Sequence, residues 1–411
     1  MIPFPLHLES LLSKPLIYLV FLLIGFLFGY VLEISGFNHS PSLASQFYFK
    51  DLRVFKVFFT AIVVAMLLIF GSSAIGLLDY NLIWVNPTYI WSGIVGGLIM
   101  GVGFILGGFC PGTSLVALAT LKIDGIFFVL GSLVGVFLFG ETVDSYRYFF
   151  NGSYFGRLTL MDVFNIPTGI VVILVTLMAV FMLWGGEQLE KIYGKKDPSK
   201  APKGRYYGAA VLVLVAVAIA IIGQPTTGDR WARLEPTRAE AIANREMYIH
   251  PGELLDTFHN HKLNLMMVDV RSEADYNLFH LLDAVHIPPE DIPAAIHDLI
   301  AMPANTVFVV MSNDETTATE EWKTLTAQAV PNVYILSGGI NNWLDTFTTE
   351  YEENYCGHII EAADERLHYE FDAALGSNCP AAYPDHDLYD FEYEEKIKLD
   401  LKRAPVGGGC G

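Results

Sequence analysis

Residues 25–38 read GFLFGYVLEISGFN, and residues 97–110 read GLIMGVGFILGGFC. An offset of 72 places Gly25, Gly29, Gly36 and Phe37 on Gly97, Gly101, Gly108 and Phe109, with Asn38 on Cys110. The match continues through Ser42, Leu43 and Lys50 on Ser114, Leu115 and Lys122. In each copy an apolar run ends at Gly-Phe, a polar break follows (Asn-His-Ser-Pro or Cys-Pro-Gly-Thr-Ser), and a further apolar stretch too short to cross a bilayer comes next. Glycines four apart let helices approach closely, which accounts for Gly25/Gly29 and Gly97/Gly101 as packing but not for the shared ending. Non-helical backbone at membrane depth persists only where protein or a water-filled cavity satisfies its hydrogen bonds, so paired breaks predict the lining of a pathway.

Around this repeat, six stretches are long and apolar enough for a hydrocarbon core of about 30 Å, which takes roughly 17 to 25 helical residues. They fall near 15–36, 54–78, 88–109, 124–140, 165–186 and 206–223. No positively charged n-region with a small-residue cleavage site opens the chain, so the first stretch reads as a retained span. Composition agrees: 53% hydrophobic and 17% charged residues are too apolar for an ordinary soluble chain of 411 residues.

The charge is unevenly placed. Residues 1–223 hold 13 Lys and Arg against 11 Asp and Glu, whereas residues 224–411 hold 12 against 33, within a net charge of −19. A strongly acidic soluble half argues against binding nucleic acid or an anionic membrane surface. Orientation follows from the basic residues, because short loops rich in Lys and Arg stay cytoplasmic. Placing Lys191, Lys195, Lys196, Lys200, Lys203 and Arg205 in the cytoplasm puts Lys50, Arg53, Lys56 and Lys122 there too, leaving Lys14, Arg147 and Arg157 outside. Ten against three predicts an inner, bacterial cell-membrane protein with both termini, and the acidic half, in the periplasm.

At the second break Pro111 and Gly112 interrupt the helix, and Thr113 or Ser114 is expected to cap a new one, whose free N–H groups would favour an anion. Cys110 beside it either contacts a sulfur-containing anion or packs as a small buried side chain at a helix end. Glu33, at the end of the first span, is either functional or snorkels to the interface.

The run GYVLEISGFN…SLASQFYFKDLRVFKVFFTAIV, with GGLIMGVGFILGGFCPGTSLVALATLK, resembles the YeeE/YedE family of membrane sulfur transporters over roughly residues 15–140. That resemblance implies uptake of thiosulfate or a related sulfur anion along a path where cysteines at equivalent breaks contact the substrate; together with the reading of the breaks above, the expected substrate-binding set is Cys110, Pro111, Gly112, Thr113, Ser114, Asn38 and Glu33. Only Cys110 matches a cysteine of such a path; Asn38 stands at the equivalent place in the first repeat.

Residues 224–246 read as a polar linker, after which strand-like and helix-like segments alternate in an α/β rhythm. Asp269-Val270-Arg271, Ala284-x-His286-Ile287-Pro288 and Gly338-Gly339-x-x-x-Trp343 resemble the rhodanese family over residues 247–350. The expected fold is thus an α-helical polytopic domain of about six spans with two re-entrant breaks (1–223), joined to a soluble α/β rhodanese-like domain. The family's catalytic cysteine, counted back from Gly338, falls on Ser312, and its loop reads Ser312, Asn313, Asp314, Glu315, Thr316, Thr317. Serine forms no persulfide and the loop is acidic, so a non-enzymatic docking or presenting domain is expected.

An acidic extension, 351–411, ends in APVGGGCG. Cys356 and Cys379 are a possible disulfide in an exported domain, though either could equally be free. The tail around Cys410 resembles the GGCG swinging arm of the SoxY sulfur carriers, which implies a sulfur-carrying thiol. His259 and His261 lack a third ligand and predict no metal site, and the stretch DHDLYDFEYEEK (385–396) reads as solvated. No cofactor is implied. Two readings remain: a transporter with a periplasmic domain for capture or hand-over of sulfur, or a membrane-anchored carrier that docks periplasmic sulfur-oxidation proteins. A sulfurtransferase ranks third.

Overall fold

A computed structural model describes residues 4, 6, 8–83, 85–195, 203–260, 262–303, 305–348, 358–363, 365–371, 379–389 and 391–399. The chain divides between Gln224 and Pro225 into a helical unit and an α/β unit. In the helical unit, α1 (Leu8–Leu11) leads into α2 (Lys14–Ile34), α3 (Ser40–Ser45), α4 (Arg53–Ala74), α5 (Ile90–Gly107), α6 (Pro111–Ala119) and α7 (Ile123–Thr142). Two short helices, α8 (Arg147–Asn151) and α9 (Leu160–Phe164), then precede α10 (Thr168–Ile192) and α11 (Gly204–Ile222). Six of these segments are long and apolar enough to cross a membrane, as the sequence predicts.

The repeat is written into the backbone. Gly36 and Gly108, 72 apart, both take the left-handed conformation, with φ 79° and 70°. So do Phe49 and Leu121, again 72 apart, with φ 54° and 55°. Lys50 N–H then donates to Ser45 O, and Lys122 N–H to Ala117 O, at the same offset. Each long helix therefore stops at a left-handed glycine, because that conformation crowds Cβ against the carbonyl of other residues. A short helix follows, ends at a left-handed residue, and hands the chain to the next long helix.

The outer faces of the long helices carry exposed large apolar side chains such as Tyr18, Leu22 and Phe26 on α2, as lipid contact requires. Inside, α4, α10 and α11 enclose Val63, Leu67, Val172, Ala179, Ala216 and Ile219. Glu190, 7% exposed near the end of α10, accepts from Leu52 N–H at 2.7 Å and from Lys56 Nζ, tying the end of α10 to the start of α4. Those two helix ends share a side, as alternating crossings demand.

The α/β unit begins earlier than the motifs suggest. Residues 224–246 are no linker: α12 (Thr227–Ala243) starts at a Thr226/Asp229 capping box, and Trp231 meets Trp322 at 5.8 Å. Five parallel strands follow, β1 (Tyr248–Ile249), β2 (Asn264–Asp269), β3 (Val285–His286), β4 (Thr306–Met311) and β5 (Val333–Leu336), in the order β1-β5-β4-β2-β3. Central β4 is buried throughout, the near-continuous apolar run of a strand covered on both faces. Val307, Val309 and Met311 enter one core with Trp343 and Phe347, and Phe308 and Val310 the other with Trp322. The helices are α13 (Pro251–Phe258), α14 (Glu273–Leu278), α15 (Ile292–Ala301), α16 (Thr316–Ala327) and α17 (Gly339–Phe347). A small hairpin, β6 (His358–Ile359) with β7 (Tyr369–Glu370), stands apart from the main sheet. The segment read as solvated is in part structural: Tyr389 and Phe391 pack on Phe347, and Tyr393 donates to Asp256.

Candidate functional site

The two chain breaks meet. A Cβ added to Gly108 would lie 2.9 Å from Ser40 Cβ, and Phe37 and Phe109, each 1% exposed, share one apolar cluster with Leu43, Val54 and Ala117. At the first break Asn38, 6% exposed, donates from Nδ2 to Glu33 Oε2. Glu33 is thereby held back toward the break by the residue that replaces Cys110 in the repeat, and does not simply snorkel outward.

At the second break the cap differs from expectation. Neither Thr113 nor Ser114 starts the helix; both are buried within α6, and Cys110 is its N-cap. Thr113 N–H donates to Cys110 Sγ at 3.4 Å, Thr113 Oγ1 lies 3.3 Å from the same sulfur, and Cys110 N–H donates to Thr113 Oγ1 at 3.0 Å. This is a capping box built on sulfur. Pro111 has no N–H, and those of Thr113 and Ser114 go to Cys110 Sγ and Cys110 O, so the first-turn amide left to serve an anion is that of Gly112. Cys110 is a free cysteine and half-buried. The break thus presents a sulfur, a helix start and, from the other repeat, an Asn–Glu pair.

In the α/β unit Ser312 directly follows β4, where the rhodanese alignment places it. Its Oγ donates to Asp314 O at 2.7 Å and accepts from Ala318 N–H at 3.1 Å, while Ser312 O and Asn313 O accept from the amides of Ile340 and Asn341. A cavity of about 880 Å³ opens over the loop, lined by Ser312, Asn313, Asp314, Thr316 and Thr317 and by five further carboxylates, Glu273, Asp275, Glu290, Asp291 and Glu365. Glu315, counted among the acidic residues of that loop, instead turns away to Gly338 N–H and Arg245. Burial alone would raise its carboxyl; the hydrogen bonds from Arg245 and Gly338 outweigh that and hold it below the ordinary value. The cavity is acidic regardless, through residues the motif alignment did not select, and a field of that sign opposes a sulfur anion. The Asp-x-Arg motif is structural: Arg271 pairs with Asp269 at 2.7 Å, both side chains buried, and also donates to Phe279 O at 2.6 Å.

These contacts predict catalytic silence. A fragment spanning 225–399, needed because α12 and Tyr389, Phe391, Ile397 and Leu399 pack on the cores, is expected to form no thiocyanate from thiosulfate and cyanide. Ser312→Cys would supply the missing sulfur and is expected to yield at most a trace. Robust turnover by the unaltered fragment would contradict this.

Cys379 is 2% exposed and disulfide-bonded. Cys356 and the arm cysteine Cys410 lie outside the described residues, as does His261. His259 bonds Leu255 O and its ring lies 4.9 Å from that of His386, tilted by 44°, and no metal-holding group of three occurs among the described residues.

The geometry agrees with comparisons to known proteins. A family described as rhodanese-like domain matches residues 250–346. Over 227 residues the chain is 26% identical to a protein named thiosulfate transporter TsuA from Spirochaeta thermophila, a match covering 51% of this chain and 64% of that relative. No solved structure matches. A family described as sulphur transport matches residues 35–245, about half the chain, including both breaks and five of the six long helices; this multi-pass membrane protein therefore belongs to the sulphur transport family and carries a rhodanese-like domain behind its last span.

Proposed function

We propose that the membrane unit takes up thiosulfate or a closely related inorganic sulfur anion through the paired breaks. The observation that carries this reading is Cys110 as the sulfur cap of α6, set where the two repeats meet. Thiosulfate has a terminal sulfur suited to contact with a polarizable thiol and oxygens suited to amide donors such as Gly112 N–H. Asn38 and Glu33 line the same junction from the other repeat. The relative's name supports the substrate.

The rhodanese-like domain and both termini are assigned to the outer face of the bacterial cell membrane by the ten-to-three bias of basic residues. The disulfide at Cys379 supports an oxidising compartment. There the domain captures the anion's donor or hands sulfur on to periplasmic sulfur-oxidation proteins by docking, not by catalysis. The test is twofold. Cells that depend on thiosulfate for sulfur are expected to grow only when they express this chain. A membrane-impermeant thiol reagent applied to spheroplasts is expected to label Cys410, and Cys410→Ser to remove that label. Absence of growth rescue would sink the uptake reading, and labelling only after permeabilisation would reverse the orientation.

A further inference from the structure

Arg157 is 8% exposed, and its Nε, Nη1 and Nη2 have no hydrogen-bond partner. Its Cζ lies 5.0 Å from the centre of the Tyr80 ring. The local backbone explains why the side chain is held inside. Ser153 and Gly156 take left-handed φ of 59° and 60°, and Tyr154 bridges antiparallel to Tyr89. Thr88 N–H donates to Gly156 O at 2.8 Å and Phe155 N–H to Thr88 O at 3.0 Å, which fixes the chain immediately before Arg157. The Tyr89 and Tyr154 rings meet at 5.4 Å across this bridge. Asp79, beside Tyr80, accepts from Asn81 N–H, and no carboxylate pairs with Arg157 among the described residues.

A buried lysine or histidine can relieve such a position by losing its proton, but a guanidinium stays charged. Its burial without acceptors is strongly unfavourable, whereas an oxyanion would satisfy it. The cation–π contact with Tyr80 uses none of the N–H donors, which leaves the fork for two oxygens of a tetrahedral anion. The position lies far from the breaks. Val54, at the start of α4, packs with Phe37 and Phe109, and Tyr80 follows the far end of α4. A helix of 22 residues separates them by about 33 Å, at roughly 1.5 Å per residue.

We propose that Arg157, held over the Tyr80 ring, is a second binding site of the membrane unit, for a tetrahedral oxyanion, at the end opposite the breaks. The ligand is a dissolved sulfur oxyanion or phosphate, or the phosphate of an anionic lipid headgroup, whose charge no choline ammonium offsets; all share the oxygens the fork demands. Because the guanidinium nitrogens are sealed from water, Tyr80, Thr88 and Tyr89 must part from the segment 153–157 to admit the anion, which then ties them together. That this end is the outer mouth rests on the uptake reading and its orientation; the oxyanion chemistry does not.

The test uses the full chain in nanodiscs of phosphatidylcholine, melted with thiosulfate, sulfate or inorganic phosphate against chloride at equal ionic strength. A parallel series replaces part of the lipid with phosphatidylglycerol. The wild type is expected to gain several degrees in Tm; with sulfate and phosphate, which offer no terminal sulfur to Cys110, Arg157→Gln is expected to lose the gain and Arg157→Lys, which keeps charge without the fork, to need about tenfold more anion. A gain with free oxyanion in phosphatidylcholine identifies a dissolved ligand, and a gain only with phosphatidylglycerol identifies a headgroup; either supports the site. Cys110→Ser is expected to keep the gain with sulfate and phosphate although it loses uptake, and an unaltered chain that shows the gain yet takes up no thiosulfate would count against the uptake reading alone. If Arg157→Gln does not fold, Tyr80→Leu, which removes the ring under the guanidinium, is expected to weaken the response instead. No gain in either series, or an undiminished gain in the altered chains, overturns the proposal.

Discussion

Cys110→Ser is expected to abolish thiosulfate uptake while leaving the protein folded and inserted. The serine variant separates two roles that coincide in the native residue. Cys110 caps α6 through its sulfur, a structural task for which serine is among the preferred residues. If capping were all that Cys110 did, serine would serve as well or better, and uptake would persist. If the sulfur contacts the transported species, serine keeps the helix start and removes the contact. Cys110→Ala removes both, and would add a capping loss of about 1 kcal/mol, within roughly 0.5 to 2. Uptake by the serine variant should fall to the background of protein-free vesicles, with an unchanged elution profile on size exclusion. Retained uptake by the serine variant would take the sulfur out of the mechanism and leave Cys110 a cap.

Asp269→Ala is expected to remove about 3 to 5 kcal/mol from the stability of the α/β unit, a large fraction of the roughly 5 to 15 typical of a domain. Asp269 accepts from Arg271 Nε at 3.0 Å and from Nη2 at 2.7 Å, and neither side chain reaches solvent. Removing the carboxylate leaves a permanent cation buried. Replacing both residues by apolar ones should recover only part of the loss, because Arg271 also satisfies Phe279 O at 2.6 Å and reaches Asn313 Oδ1 at 3.3 Å. Urea unfolding of the 225–399 fragment measures this; a shift below about 1 kcal/mol would mean that the pair is solvated. The result matters for function because Arg271 and Asn313 both line the acidic cavity, so their network sets its shape.

Much of the membrane unit was legible because its hydropathy leaves few alternatives. The span read at 124–140 proves to be Ile123–Thr142, and that read at 54–78 stops at Ala74. The repeat was equally legible, down to the glycines that take left-handed φ in both copies. What stayed hidden was the cap: cysteine is not a usual N-cap residue, so Thr113 and Ser114 drew the assignment that belongs to Cys110. Residues 224–246 looked like a linker because they are largely polar, although the Thr226-x-x-Asp229 box was a readable helix start. The stretch 385–396 misled through its charge as well. Tyr389, Phe391 and Tyr393 alternate, and that period of two was the available sign of an apolar edge against the core. Glu315 was misjudged because sequence cannot tell a carboxylate in a cavity from one turned to an arginine. Nothing in the sequence marked Arg157, since its burial arises from a bridge between segments far apart in the chain.

The central claim is that this membrane unit conducts a sulfur anion, and uptake of radiolabelled thiosulfate by the purified chain in proteoliposomes tests it most directly. Saturable accumulation above protein-free liposomes, competed by unlabelled thiosulfate, is the predicted result. Folded, inserted protein whose vesicles accumulate no more label than protein-free ones would contradict it.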